Sequence, residues 1–100
     1  MDRSAILRVA RPTDNLDAIV QMYCDGLGFK VIASFKDHDG FDGSILGLDS
    51  GSYHLEFTHC KGHVVGGAPT KDNLLVFYVP DKAHWLQRCK AMEASGFLPV

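Results

Sequence analysis

His54 and Glu56 are the residues of this chain best placed to do chemistry. They stand two positions apart in the alternating run Tyr53-His54-Leu55-Glu56-Phe57-Thr58. Side chains two apart on a strand share a face, so the imidazole and the carboxylate project together, away from the apolar set Tyr53, Leu55 and Phe57. Such a pair can bind a polar ligand, move a proton, or contribute to a divalent metal site. It falls short of the roughly three protein ligands that hold a catalytic ion. His59 faces the other way and cannot join His54 on one ion. The plainer alternative for Glu56 is a solvated carboxylate on an open sheet.

Other constellations fail on their chemistry. Asp37-His38-Asp39-Gly40-Phe41-Asp42-Gly43 has three aspartates. A calcium loop needs a ligand where Phe41 stands and a glutamate further on, so this segment reads as a hairpin turn. Lys61-Gly62-His63-Val64-Val65-Gly66-Gly67 lacks the lysine-serine ending of a phosphate loop and leads into no helix, so it reads as a connector. Cys60 follows His59 directly, and strand neighbours point apart. No glycine-x-serine-x-glycine elbow occurs.

The elements that must position His54 and Glu56 come from periodicity. Ala5 to Arg11 reads as a strand ended by Pro12. Leu16, Ile19, Val20 and Tyr23 form one helical stripe. Thr13 or Asp14 is the expected cap, and Gly26 and Gly28 are the expected stop. Phe29, Val31, Ala33 and Phe35 alternate on a half-buried strand. Ile45 to Asp49 is a short strand, turned back through Asp49-Ser50-Gly51-Ser52 toward the strand of His54 and Glu56. Then the construction restarts at a shift of about 68 positions: Pro12 falls on Pro80, Gly28 on Gly96 and Phe29 on Phe97. Leu74 to Val79, apolar on both faces, reads as a central covered strand. Asp81 caps a second helix with the stripe Trp85, Leu86, Cys89 and Met92, and Phe97 to Val100 begins one more strand. Helices are expected on one face of the sheet and a cleft on the other.

The whole chain, 1–100, is expected to be a single domain: a first module at about 5–60, a connector at about 61–72 and a partial second module at about 73–100. A net charge of -2 argues against a nucleic-acid groove. No apolar stretch is long enough to span a bilayer, and the N-terminus lacks the apolar core of a signal peptide. Three cysteines without close pairing fit reduced, buried thiols and a cytoplasmic setting.

The run from Asn15-Leu16 through Met22-Tyr23 to Gly26-Leu27-Gly28-Phe29, the strand His54-Leu55-Glu56-Phe57, and Leu74 to Val79 followed by Pro80-Asp81 together resemble the vicinal oxygen chelate (VOC) superfamily. That superfamily includes glyoxalase I, extradiol dioxygenases and fosfomycin-resistance proteins. The resemblance implies an α+β fold of paired βαβββ modules, the first complete here and the second cut off after its helix. It implies ligands on the first and fourth strands of each module. Glu56 matches the fourth-strand position. The first-strand position falls on Arg8, which is not a usual metal ligand. A guanidinium there can pair with Glu56 by a bidentate bond and take the metal's place.

The expected function is therefore a small-molecule-binding VOC-fold protein. Its cleft is floored by Arg8, His54 and Glu56 and walled by Val76 and Tyr78, with Glu56 orienting Arg8 or accepting a proton. The first alternative is a metal-dependent glyoxalase- or dioxygenase-type enzyme, with Glu56 and His54 on a divalent metal. The second is a non-catalytic module that assembles with another chain. The expected partners are a small-molecule ligand and a second copy, in a homodimer through the incomplete sheet edge.

Overall fold

β1 (Leu7–Pro12), α1 (Leu16–Leu27), β2 (Lys30–His38), β3 (Phe41–Gly47), β4 (Tyr53–Cys60) and α2 (Lys82–Ala94) follow one another along the chain. The structure is a computed structural model and describes residues 1–49 and 51–99. The expected turn residue Ser50 and the terminal Val100 lie outside the described residues. The strands form one sheet in the order β1-β4-β3-β2. β1 runs parallel to β4, and the other pairs are antiparallel. The architecture is α+β, with a four-stranded sheet and two helices.

One face of this sheet is covered because its residues are apolar at period two and those of α1 at period 3.6. Phe29, Leu46, Leu55 and Phe57 are buried, and Leu16, Ile19, Val20, Tyr23, Cys24 and Leu27 of α1 pack on them. Tyr23 is the hinge of the aromatic packing: its ring lies 4.8 Å from Phe57 and 5.3 Å from Phe97. Cys24 and Cys89 are half-buried rather than buried. Burial pushes the Cys24 thiol up, and the neighbouring Asp25 charge adds to it.

Local signals were met by neighbours of the expected residues. α1 is capped by Asn15, whose Oδ1 accepts from the Ala18 N–H at 3.2 Å. Asp14 and Thr13, the two residues just before Asn15, take other roles. Thr13 Oγ1 accepts from the Asn15 N–H, and Asp14 accepts from the connector. Gly28 ends α1 in the left-handed conformation, φ 78°, with its N–H donating to Cys24 O. Gly26 is not part of the stop. It is buried in the helix, where an added Cβ would lie 3.0 Å from the Phe97 ring and 3.2 Å from Met92 Cα. It is the seat on which α2 docks. Asp81 caps α2 as expected, accepting from the His84 N–H at 2.9 Å.

Two expectations about strands are corrected. β2 carries an irregularity between Val31 and Ala33. An extra residue there reverses the alternation, so Val31 sits across from Leu46 while Ala33 and Phe35 sit across from Ile45 and Gly43 on the open face. Leu74 to Val79 forms no strand. Among the described residues no ladder runs along it, and Leu74, Val76 and Tyr78 are exposed. A doubly apolar segment becomes a covered strand only when neighbours pair it on both sides. Only Leu75 and Phe77 engage the first module: Leu75 packs against its core, and the Phe77 ring lies 5.9 Å from Phe29. Phe97 to Pro99 is likewise not a strand.

α2 buries no residue completely, and Trp85 and Leu86 of its expected stripe are exposed. The sheet they would cover is not present among the described residues. Cys89 and Met92, nearer α1, are half-buried.

Candidate functional site

Arg8, His54 and Glu56 meet on the open face. In the β1–β4 register Arg8 stands beside His54, and Ala10 beside Glu56. The Arg8 guanidinium therefore lies between the two polar side chains of β4. Nη1 is 3.6 Å from Glu56 Oε1, and Nη2 is 3.5 Å from His54 Nδ1. The expected bidentate bond is not formed, because Glu56 is diagonal to Arg8 rather than opposite it. A guanidinium has no acceptor, so the His54 contact requires a lone pair on Nδ1 and the ring proton on Nε2. That leaves an N–H to donate outward. Ala10, beside Glu56, adds almost no bulk and leaves the carboxylate approachable.

The surroundings are apolar and shaped by glycine. Ile45 stands across from Glu56. Gly43 and Gly47 are buried beneath the Phe35 ring and the Ile32 side chain, where any Cβ would collide. The face thus carries a polar triad at one side and Ile32, Phe35 and Ile45 at the other. This is a common ligand-site pattern: apolar walls with a few convergent polar groups. The β2 irregularity is what brings Phe35 to this face. Strict alternation along the sequence gave no sign of it.

Val76 and Tyr78 do not wall this site. They lie with Val9, Tyr53 and Leu55, which point to the helical side of the sheet. Without a ladder to hold the 74–79 segment over the open face, Leu75 and Phe77 turn to the core and leave Val76 and Tyr78 exposed.

A divalent metal does not fit these residues. A guanidinium cation lies 3.6 Å from Glu56 Oε1, and His54 turns Nδ1 toward that same cation. Among the described residues no group of three or more His, Cys, Asp or Glu is placed to hold an ion. Of the expected Asp37–Gly43 turn only Asp39 and Gly40 turn; Asp37 and His38 end β2, and Phe41 to Gly43 begin β3. Asp37, Asp39 and Gly40 have positive φ, and Asp42 Oδ1 accepts from the Asp37 N–H at 2.9 Å.

On the helical side, a cavity of about 430 Å³ opens between the end of β1, α1 and the connector. Asp14 holds its roof, accepting the Val65 and Gly66 N–H groups at 2.8 Å each. Those two bonds hold the Asp14 carboxyl below its ordinary value of 3.8. His59 Nδ1 lies 3.0 Å from Thr13 O and donates to it. His59 is thus structural, on the face opposite His54.

The β1-α1-β2-β3-β4 order with one open polar face defines a VOC-like module. The chain belongs to the YycE-like family: residues 7–58 match the YycE-like N-terminal domain. The uncharacterised protein YycE of Bacillus subtilis (strain 168) is 47% identical over 98 residues, 98% of this chain and 70% of its own length. A crystal structure of a B. subtilis YycE protein superposes with a TM-score of 0.86 at 40% identity, covering 97% of this chain and 71% of that one. That protein is described as of unknown function and provisionally as a glyoxalase/fosfomycin resistance protein. No helix among the described residues is long and apolar enough to cross a membrane.

Proposed function

We propose that this chain binds a small organic molecule with an anionic or carbonyl group on the open face of its VOC-like sheet. Arg8 is the anchor. The observation that carries the reading is its guanidinium, held between His54 and Glu56 where the resemblance implies a metal. Glu56 orients Arg8 and is the acceptor for a ligand proton. His54 Nε2–H is a second donor. Ile32, Phe35 and Ile45 receive the ligand's apolar part. The provisional description of the YycE structure as a glyoxalase/fosfomycin resistance protein supports a small organic ligand.

Isothermal titration with short 2-oxo acids and phosphonates, fosfomycin included, tests this. The expected result is saturable heat with at least one compound and at least a tenfold weaker association in Arg8→Gln. Silence across the panel with folded protein overturns the reading.

Self-association through the free edge of β1 belongs to the same proposal, with a second copy as the occupant. β1 pairs only with β4 among the described residues, and the backbone beside it at 74–79 is without a ladder. Unpaired strand edges are templates for pairing with another chain. The three unbonded cysteines suit a reducing, cytoplasmic setting.

A further inference from the structure

We propose a second ligand site on the helical side of the sheet: the cavity between β1, α1 and the connector takes a small, singly charged organic anion with an apolar body, anchored by Arg11. This inference stands apart from the open-face site, on different residues.

Arg8 and Arg11 are three positions apart on one strand, so they face opposite sides of the sheet. Arg8 has Glu56 and His54 for company. Arg11 sits across from Phe57 in the register and is half-buried. Among the described residues it makes no ion pair and no side-chain hydrogen bond. No nitrogen of its guanidinium is buried without a partner, so it is open to an incoming ligand, and a guanidinium offers donors that match a carboxylate. The nearby carboxylate is committed elsewhere, since both oxygens of Asp14 accept connector N–H groups.

The cavity supplies the rest. Its volume of about 430 Å³ lies within the roughly 300–1,000 Å³ of small-molecule pockets. Ile19, Phe57 and Leu75 make apolar walls, and Tyr23 stands beside them. Burial raises the Tyr23 phenol, with the Arg11 charge opposing. It therefore stays protonated at neutral pH and can donate to an anion that Arg11 holds. Asp14 at the roof disfavours a second negative charge, so the fit is to a monoanion such as a carboxylate rather than to a phosphate dianion.

Benzoate and its neutral counterpart benzamide are suitable probes, followed by amide NMR on the ¹⁵N-labelled chain. Benzoate is expected to shift Thr13, Ile19, Val65, Gly66 and Asn73, as a set separate from any shifts at the open-face residues His54 and Glu56. Arg11→Gln and the switch to benzamide should each weaken the association read at the cavity residues at least tenfold. Ala68→Phe, made at an exposed connector position that lines the cavity, should abolish it without loss of fold. No benzoate shifts at millimolar concentration, shifts confined to the open face, or affinity unchanged in both Arg11→Gln and Ala68→Phe would each overturn the site.

Discussion

The Arg8–Glu56 contact is long and partly open to water, with side-chain exposures of 46% and 22%. Ion pairs of this kind contribute about 0–1 kcal/mol. Arg8→Gln is therefore expected to move the unfolding free energy by less than about 1 kcal/mol while removing the ligand anchor. Denaturant unfolding of the variant beside the wild type checks this, and a large loss would make Arg8 a structural residue. Gly43 tests the shape of the same face. Gly43→Ala drives a methyl into the Phe35 ring and should cost about 1–3 kcal/mol, read as a lowered melting temperature. Replacing Phe35 as well, in Gly43→Ala/Phe35→Ala, should relieve that clash. At this scale the sequence was informative for β4, where the alternation of His54, Glu56 and Thr58 against Tyr53, Leu55 and Phe57 assigned the faces. The same alternation failed in β2, because a single irregular residue reverses the faces and carries no compositional mark. The long Arg8–Glu56 geometry depends on register, which the residues of one strand alone do not contain.

At the scale of elements, two small contacts hold the chain together around the sheet. Gly26 lets α2 approach α1, and Arg88 Nη1 donates to Gly26 O at 3.3 Å. Gly26→Ala forces the Phe97 ring and the Met92 backbone away and should cost about 1–3 kcal/mol, visible as a lower urea midpoint. Asp14 ties the connector to the start of α1. Its folded carboxyl value is depressed below 3.8 by the Val65 and Gly66 N–H groups. The tether is thus fully formed above the unfolded value and is lost as pH falls through the lower folded one. The amide shifts of Val65 and Gly66 are expected to hold steady through pH 3.8 and to move only in more acid solution. Movement centred at or above that pH contradicts the tether. The α1 stripe, the Asp81 cap and the Gly28 stop followed from local spacing alone. The tether and the Gly26 seat did not, because each joins residues far apart in the chain.

At the scale of the molecule, the second repeat shows where reading by local pattern ends. Leu74 to Val79 has strand composition, yet a strand needs a ladder. Among the described residues none runs along it; Leu75 and Phe77 turn to the core, and Val76 and Tyr78 are left exposed. Self-association should be visible by sedimentation as a concentration-dependent rise in mass, weakened by Val76→Lys at an exposed position. A monomer at every concentration removes the second copy from the account. On the proposed reading, the Arg8 guanidinium beside His54 and Glu56 makes this a binding face rather than a metal centre. Elemental analysis of protein purified without chelator, wild type beside Glu56→Ala, tests it most directly. Far less than one divalent ion per chain is expected in both proteins; one nickel, zinc, iron or manganese per chain that disappears in Glu56→Ala would contradict a metal-free binding face.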